Sequence, residues 1–113
     1  MTERGIFETG FRAMCELLSS NGSRGRLEVP VVLTGADRAA LLADWFGELA
    51  FLAETRGLVP HRLASLELTG DGLSAVVEGS TGHPPHLVKG ATYHRLRFER
   101  TEQGWSARVV LDV

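Results

Sequence analysis

The chain is poor in cysteine, lysine, aromatic residues and long apolar runs, and each shortage removes a class of protein. Its one cysteine, Cys15, can form no internal disulfide and no thiolate set for structural zinc. No apolar stretch approaches the roughly 18 residues of a membrane helix, and the start lacks the basic-then-apolar pattern of a signal peptide. A cytoplasmic protein with no membrane partner is expected. Motifs of self-sufficient catalysts are also missing. There is no glycine-rich phosphate loop ending in Lys-Ser or Lys-Thr, no Gly-x-Ser-x-Gly elbow and no His-Glu-x-x-His pair. The formal net charge of −2 is too near neutral for electrostatics alone to hold the protein on nucleic acid.

What is there is one domain's worth of sequence: 113 residues, of which 43% are hydrophobic. Phe7, Phe11, Met14 and Leu18 recur at helical spacing and predict an amphipathic helix over about residues 3–19. The turn-rich run from Ser19 to Gly25 ends it. Leu27, Val29, Val31 and Leu33 then alternate with Glu28, Pro30 and Val32, predicting a strand that Pro30 confines to an edge or bulge. Thr34 is the expected cap of a second helix, with Asp37 favouring its first turn. Leu41, Leu42, Trp45, Phe46, Leu49 and Leu52 give that helix a broad apolar face, and Gly57 stands where a C-terminal cap belongs. Residues 62–69 and 73–78, separated by Gly70-Asp71-Gly72, read as a hairpin, followed by a loop from Gly79 to His86. Thr92, His94, Leu96 and Phe98 alternate with Tyr93, Arg95, Arg97 and Glu99. After Glu102-Gln103-Gly104 the alternation continues from Trp105 to Val113 as a second hairpin. The expected fold is therefore α+β: a two-layer sandwich with two helices on one face of a mainly antiparallel sheet.

Charge is unevenly spread. Residues 1–87 carry seven arginines against eleven acids, whereas residues 88–113 carry Lys89, Arg95, Arg97, Arg100 and Arg108 against Glu99, Glu102 and Asp112. Lys89 is the chain's single lysine. Candidates for chemistry are few. His83 and His86 flank two prolines without an evident third metal ligand, and His61 has no partner by sequence. His94 reads as a partly buried strand histidine, or in a minor reading as the base of a small hydrolase with Asp112. Cys15 belongs to the apolar helix stripe, and Asp44 and Glu48 lie one helical turn apart. Asp112 and Val113 place a side-chain carboxylate and a terminal carboxylate on adjacent residues, oxygens of the kind that Ca²⁺ and Mg²⁺ select.

Two stretches taken together resemble the archease family. Asp37 to Val59, with Leu41-Leu42, Asp44-Trp45-Phe46, Glu48-Leu49 and Gly57-Leu58-Val59, is similar to that family's central helix. Val88-Lys89-Gly90-Ala91-Thr92-Tyr93-His94, followed by Gly104-Trp105 and Ala107 to Val113, is similar to its C-terminal signature. The resemblance implies an accessory protein, not an enzyme, that activates the RNA-splicing ligase joining a 2′,3′-cyclic or 3′-phosphate end to a 5′-hydroxyl end. Such a helper promotes guanylylation of the ligase, and hence its turnover, in tRNA splicing or RNA repair. It meets GTP through the ligase and RNA only indirectly. Asp112 and Val113 match the C-terminal part of the family's metal site, and Lys89 matches a lysine expected to contact the partner or its nucleotide. The family's N-terminal strand with His-Thr-Ala-Asp has no counterpart here. Residues 1–113 are thus expected to form one archease-like domain, truncated at its N-terminus, with an open sheet edge and weak divalent-cation binding. The alternative expectation is a degenerate archease-like protein-binding module that no longer activates a ligase.

Overall fold

A computed structural model describes residues 2–20, 22–82 and 90–112 of the chain. Helix α1 (Glu3–Leu17) starts at Thr2, whose side chain accepts a hydrogen bond from the Gly5 N–H at 2.9 Å. This satisfies one of the amides that a helix start leaves without a partner. Its buried face is Ile6, Phe7, Phe11 and Met14. Helix α2 (Arg38–Arg56) is capped by Asp37, whose carboxylate accepts from the Ala40 N–H at 3.2 Å. The cap expected at Thr34 moves to Asp37 because Thr34 is still strand, paired with Gly72. At the other end Gly57 is left-handed, with φ 64° and ψ 27°, and its N–H donates to the Leu52 carbonyl.

The strands are β1 (Arg24–Thr34), β2 (Leu58–Thr69), β3 (Gly72–Thr81), β4 (Gly90–Thr101) and β5 (Gly104–Asp112). All observed pairings are antiparallel. They form a three-stranded sheet in the order β1-β3-β2 and a separate β4-β5 hairpin, so the expected strand layer is divided in two. Pro30 lies on β1, an edge strand of the larger sheet, as its missing N–H requires. Strand β2 begins at Leu58, earlier than the apolar alternation predicts, because Gly57 turns the chain directly into pairing with Thr81. Strand β3 runs on to Thr81 where a loop was expected, since Gly79 pairs with both Leu27 and Pro60. Both hairpins close through the same local device. The Thr69 and Thr101 hydroxyls accept from the N–H groups of Asp71 and Gln103, each at 3.3 Å.

One face of the larger sheet carries Val29 and Val31 of β1, Leu66 of β2 and Leu73, Ala75 and Val77 of β3, all buried in one core with both helices. Trp45 is fully buried at the centre, where its indole N–H donates to the Phe7 carbonyl at 3.2 Å. The Phe11 ring lies against it at 6.1 Å. Gly10 lets the helices approach here, since a β-carbon on it would come within 2.8 Å of the Phe46 ring. The hairpin is seated on the helices by Phe98, whose ring meets Phe7 at 6.0 Å and Trp105 at 5.5 Å.

On the opposite face of the larger sheet, Glu78 of the central strand gathers arginines from both neighbours. It accepts from Arg62 at 2.9 and 2.6 Å and from Arg26 at 3.0 Å. The Arg62 hydrogen bonds, with help from Arg26 and against some desolvation, hold its carboxyl below the usual glutamate range.

Two outcomes are expected. Gly57→Ala should lower stability by about 1–2 kcal/mol, from the left-handed backbone and a contact of 3.0 Å with the Gly82 carbonyl, read as a fall in the urea midpoint. The second concerns acid. A depressed carboxyl contributes stability that is present above its unfolded pKa, about 4.3, and is lost as pH falls toward the folded value. Glu78→Gln should therefore flatten the decline of the urea midpoint below about pH 4.5. Parallel wild-type and variant curves would remove Glu78 from the acid transition.

Candidate partner-docking and cation site

The hairpin decides which residues of the C-terminal signature meet. Near the turn its register is regular: Thr101 faces Gly104, Arg100 faces Trp105, Phe98 faces Ala107 and Arg97 faces Arg108. Between the Arg97–Arg108 and Thr92–Val110 pairs, β4 advances five residues while β5 advances two. The register beyond this irregularity places Ala91 opposite Leu111 and Gly90 opposite Asp112. Extended without the shift, the regular register would carry Gly90 past the last residue of the sequence. The bulge is therefore what brings the start of β4 to the end of β5.

Of the sequence-predicted site residues, Asp112 is described by this strand position. Lys89 and Val113 lie outside the described residues, as do His83 and His86. Lys89 and Val113 are nonetheless the chain neighbours of Gly90 and Asp112, which are direct partners. The bulge also corrects one expectation. Thr92, His94, Leu96 and Phe98 do not form one uninterrupted alternation, because Thr92 faces Val110 and Phe98 faces Ala107, three residues apart on β5. His94 falls inside the irregular segment, so it shares no regular register position with Asp112.

The other candidates find structural roles. Cys15 is half-buried on α1, and burial pushes its thiol up to about 11, which leaves almost no thiolate at neutral pH. Asp44 is engaged within the fold. One pair was invisible in the sequence: the His61 ring Nε2 and the Ser80 hydroxyl are 2.7 Å apart across β2 and β3. Ser80 is buried, and the contact satisfies its hydroxyl where water has little access. Its only sequence signal is the register that pairs Val59 with Ser80, which follows from where β2 begins.

Beside β5, an apolar cavity of about 400 Å³ opens between the helices and the hairpin, lined by Ile6, Gly10, Leu42, Phe46, Trp105 and Val109 among others. Among the described residues no three of His, Cys, Asp or Glu converge as a metal ligand set. Ca²⁺ takes roughly six to eight oxygens, so the described donors fall short of a complete site.

Two capped helices, a three-stranded antiparallel sheet and a bulged hairpin closing on its own C-terminal acid define a small α+β domain. The archease protein family model matches residues 2–113. The chain is 30% identical over 122 aligned positions to the protein archease of Methanosarcina acetivorans, covering 99% of this chain and 84% of the relative. It is 33% identical over 94 positions to that of Methanopyrus kandleri, covering 76% and 67% of the two chains. The solution structure of Methanobacterium thermoautotrophicum protein 1598 superposes with a TM-score of 0.66 at 27% identity, over 96% of this chain and 83% of that one. This chain belongs to the archease family.

The thiol provides a check on the helix packing. Cys15 should react with iodoacetamide at pH 8 on the order of 100-fold more slowly in the folded protein than in urea. Equal rates would mean that α1 does not bury its Cys15 side against the rest of the fold.

Proposed function

We propose that this protein activates an RNA-splicing ligase by docking on it and promoting guanylylation of the ligase histidine. In this reading it performs no chemistry alone and acts in tRNA splicing or RNA repair. It meets GTP only in the ligase's nucleotide pocket and RNA only through the ligase. The observation that supports it is family membership over residues 2–113, together with a register that pairs Gly90 with Asp112. Lys89 and Val113 are the chain neighbours of that pair, and with Asp112 they are the residues this reading assigns to the contact.

Asp112 and Val113 are the residues that would hold a divalent cation such as Ca²⁺ or Mg²⁺, and Lys89 is the cationic contact for the partner or its nucleotide. An oxygen-bound cation supplies positive charge beside a triphosphate. Since this chain's described donors are incomplete, cation binding is expected to be weak, and the helper role rests on docking.

Single-turnover guanylylation of the cognate ligase at fixed GTP and divalent cation tests the reading. The chain should accelerate it, and Asp112→Ala should remove part of the acceleration, roughly two- to tenfold. Undiminished acceleration by the variant would exclude Asp112 from the contact. No acceleration by the wild type would favour a protein-binding module that lacks the activating function.

A further inference from the structure

The outward face of the β4-β5 hairpin carries a charge arrangement that folding disfavours. Arg97 and Arg108 are direct cross-strand partners, and both are exposed. Opposed residues on an antiparallel pair have β-carbons about 4.5–5.5 Å apart, where like charges oppose pairing. Neither guanidinium has an ion pair or side-chain hydrogen bond among the described residues. Four arginines elsewhere are paired with acids, Arg26 and Arg62 with Glu78, Arg4 with Glu8 and Arg38 with Glu3. The exposed arginines without an ion pair other than Arg97 and Arg108 do not face one another across a strand pair. A carboxylate is within reach of the pattern, because Glu99 lies two residues from Arg97, yet the register sets it opposite Ser106. The arginines are left bare.

Their surroundings indicate what covers them. In the same phase of β5 as Arg108 comes Val110, which is 39% exposed. Four residues of strand place Arg108 about 13 Å from Asp112, within the footprint of one partner. We propose that this face docks on a protein partner through Arg97 and Arg108, which together hold an acidic side-chain cluster of that partner. The assignment deepens the ligase-activating reading and rests on it. Planar guanidinium forks match carboxylates in pairs, and arginines beside an exposed apolar side chain have the composition of a protein interface. An RNA backbone fits less well. It is held by several cations acting together and gains nothing from an exposed valine.

Arg97→Glu separates binding from folding, because it creates an opposite-charge cross-strand pair with Arg108. The variant should have a raised urea midpoint and an affinity for the cognate ligase at least about tenfold weaker, with most of its salt dependence gone. Arg108→Glu should behave alike. A variant that is more stable but binds and activates the ligase as the wild type does would overturn the assignment. So would wild-type binding to a fluorescent single-stranded RNA without ligase that Arg97→Glu abolishes, since the ligand would then be phosphate. Failure of the wild type itself to bind the ligase would instead overturn the functional reading, and this assignment with it.

Discussion

Everything in this domain is positioned through the burial of α2. The helix packs against every other element, α1 and all five strands. Nine of its residues, from Leu41 to Ala53, are buried, far more than the single stripe of a surface helix. Covering so much of one helix requires a sheet, a second helix and a hairpin at once, which is why a short chain can hold two separate sheets in one core. The close approach depends on Gly10, a residue that disfavours helix but leaves room for the Phe46 ring. The ends of α2 are equally constrained. Asp37 and Gly57 set its length, and Arg38 ties its first turn to Glu3 of α1 and to the Thr69 carbonyl in the β2-β3 turn.

This dependence explains what the sequence made legible. Helix α2 announces itself because its apolar face is broad, and Gly57 marks its end for the one reason that only glycine takes a left-handed cap without strain. The hairpins are legible from Gly70-Asp71 and Glu102-Gln103-Gly104. The cap at Asp37 was displaced by competition: Thr34 has the right chemistry, but its backbone is already committed to the sheet. The start of β2 was hidden because Pro60 and His61 interrupt the apolar alternation, although pairing with β3 holds at Pro60 and resumes at Arg62 after an irregularity at His61. That the strands divide into two sheets depends on helix burial and leaves no local mark.

The bulge in β4 is the least legible feature and the one with most consequence. Thr92 to Arg95 is a polar run with no apolar phase to reveal a slip, so the alternation looked continuous. Yet the slip sets Gly90 opposite Asp112. Lys89, Asp112 and Val113 were legible only through likeness to a family. The Arg97–Arg108 pair follows from the turn, because the register runs unbroken from Thr101–Gly104 to it, whereas the Gly90–Asp112 pair lies beyond the slip and has no local mark.

The two sheets therefore treat charge in opposite ways. On the larger sheet, Glu78 sits on the central strand where both edge strands can deliver arginines to it, and the outer face is neutralised from within. A two-stranded hairpin has no central strand, so a carboxylate there can serve only the residue across from it or a diagonal neighbour. Glu99 faces Ser106, and with its diagonal neighbour Arg108 it forms no ion pair, so no such neutralisation occurs. The hairpin is held to the helices by its inward aromatic side chains, and this anchoring leaves its outward face free of any packing duty. A face relieved of packing can tolerate unfavourable charge at small expense to stability. It is therefore on the hairpin, rather than on the central sheet, that a partner can find charge still uncompensated.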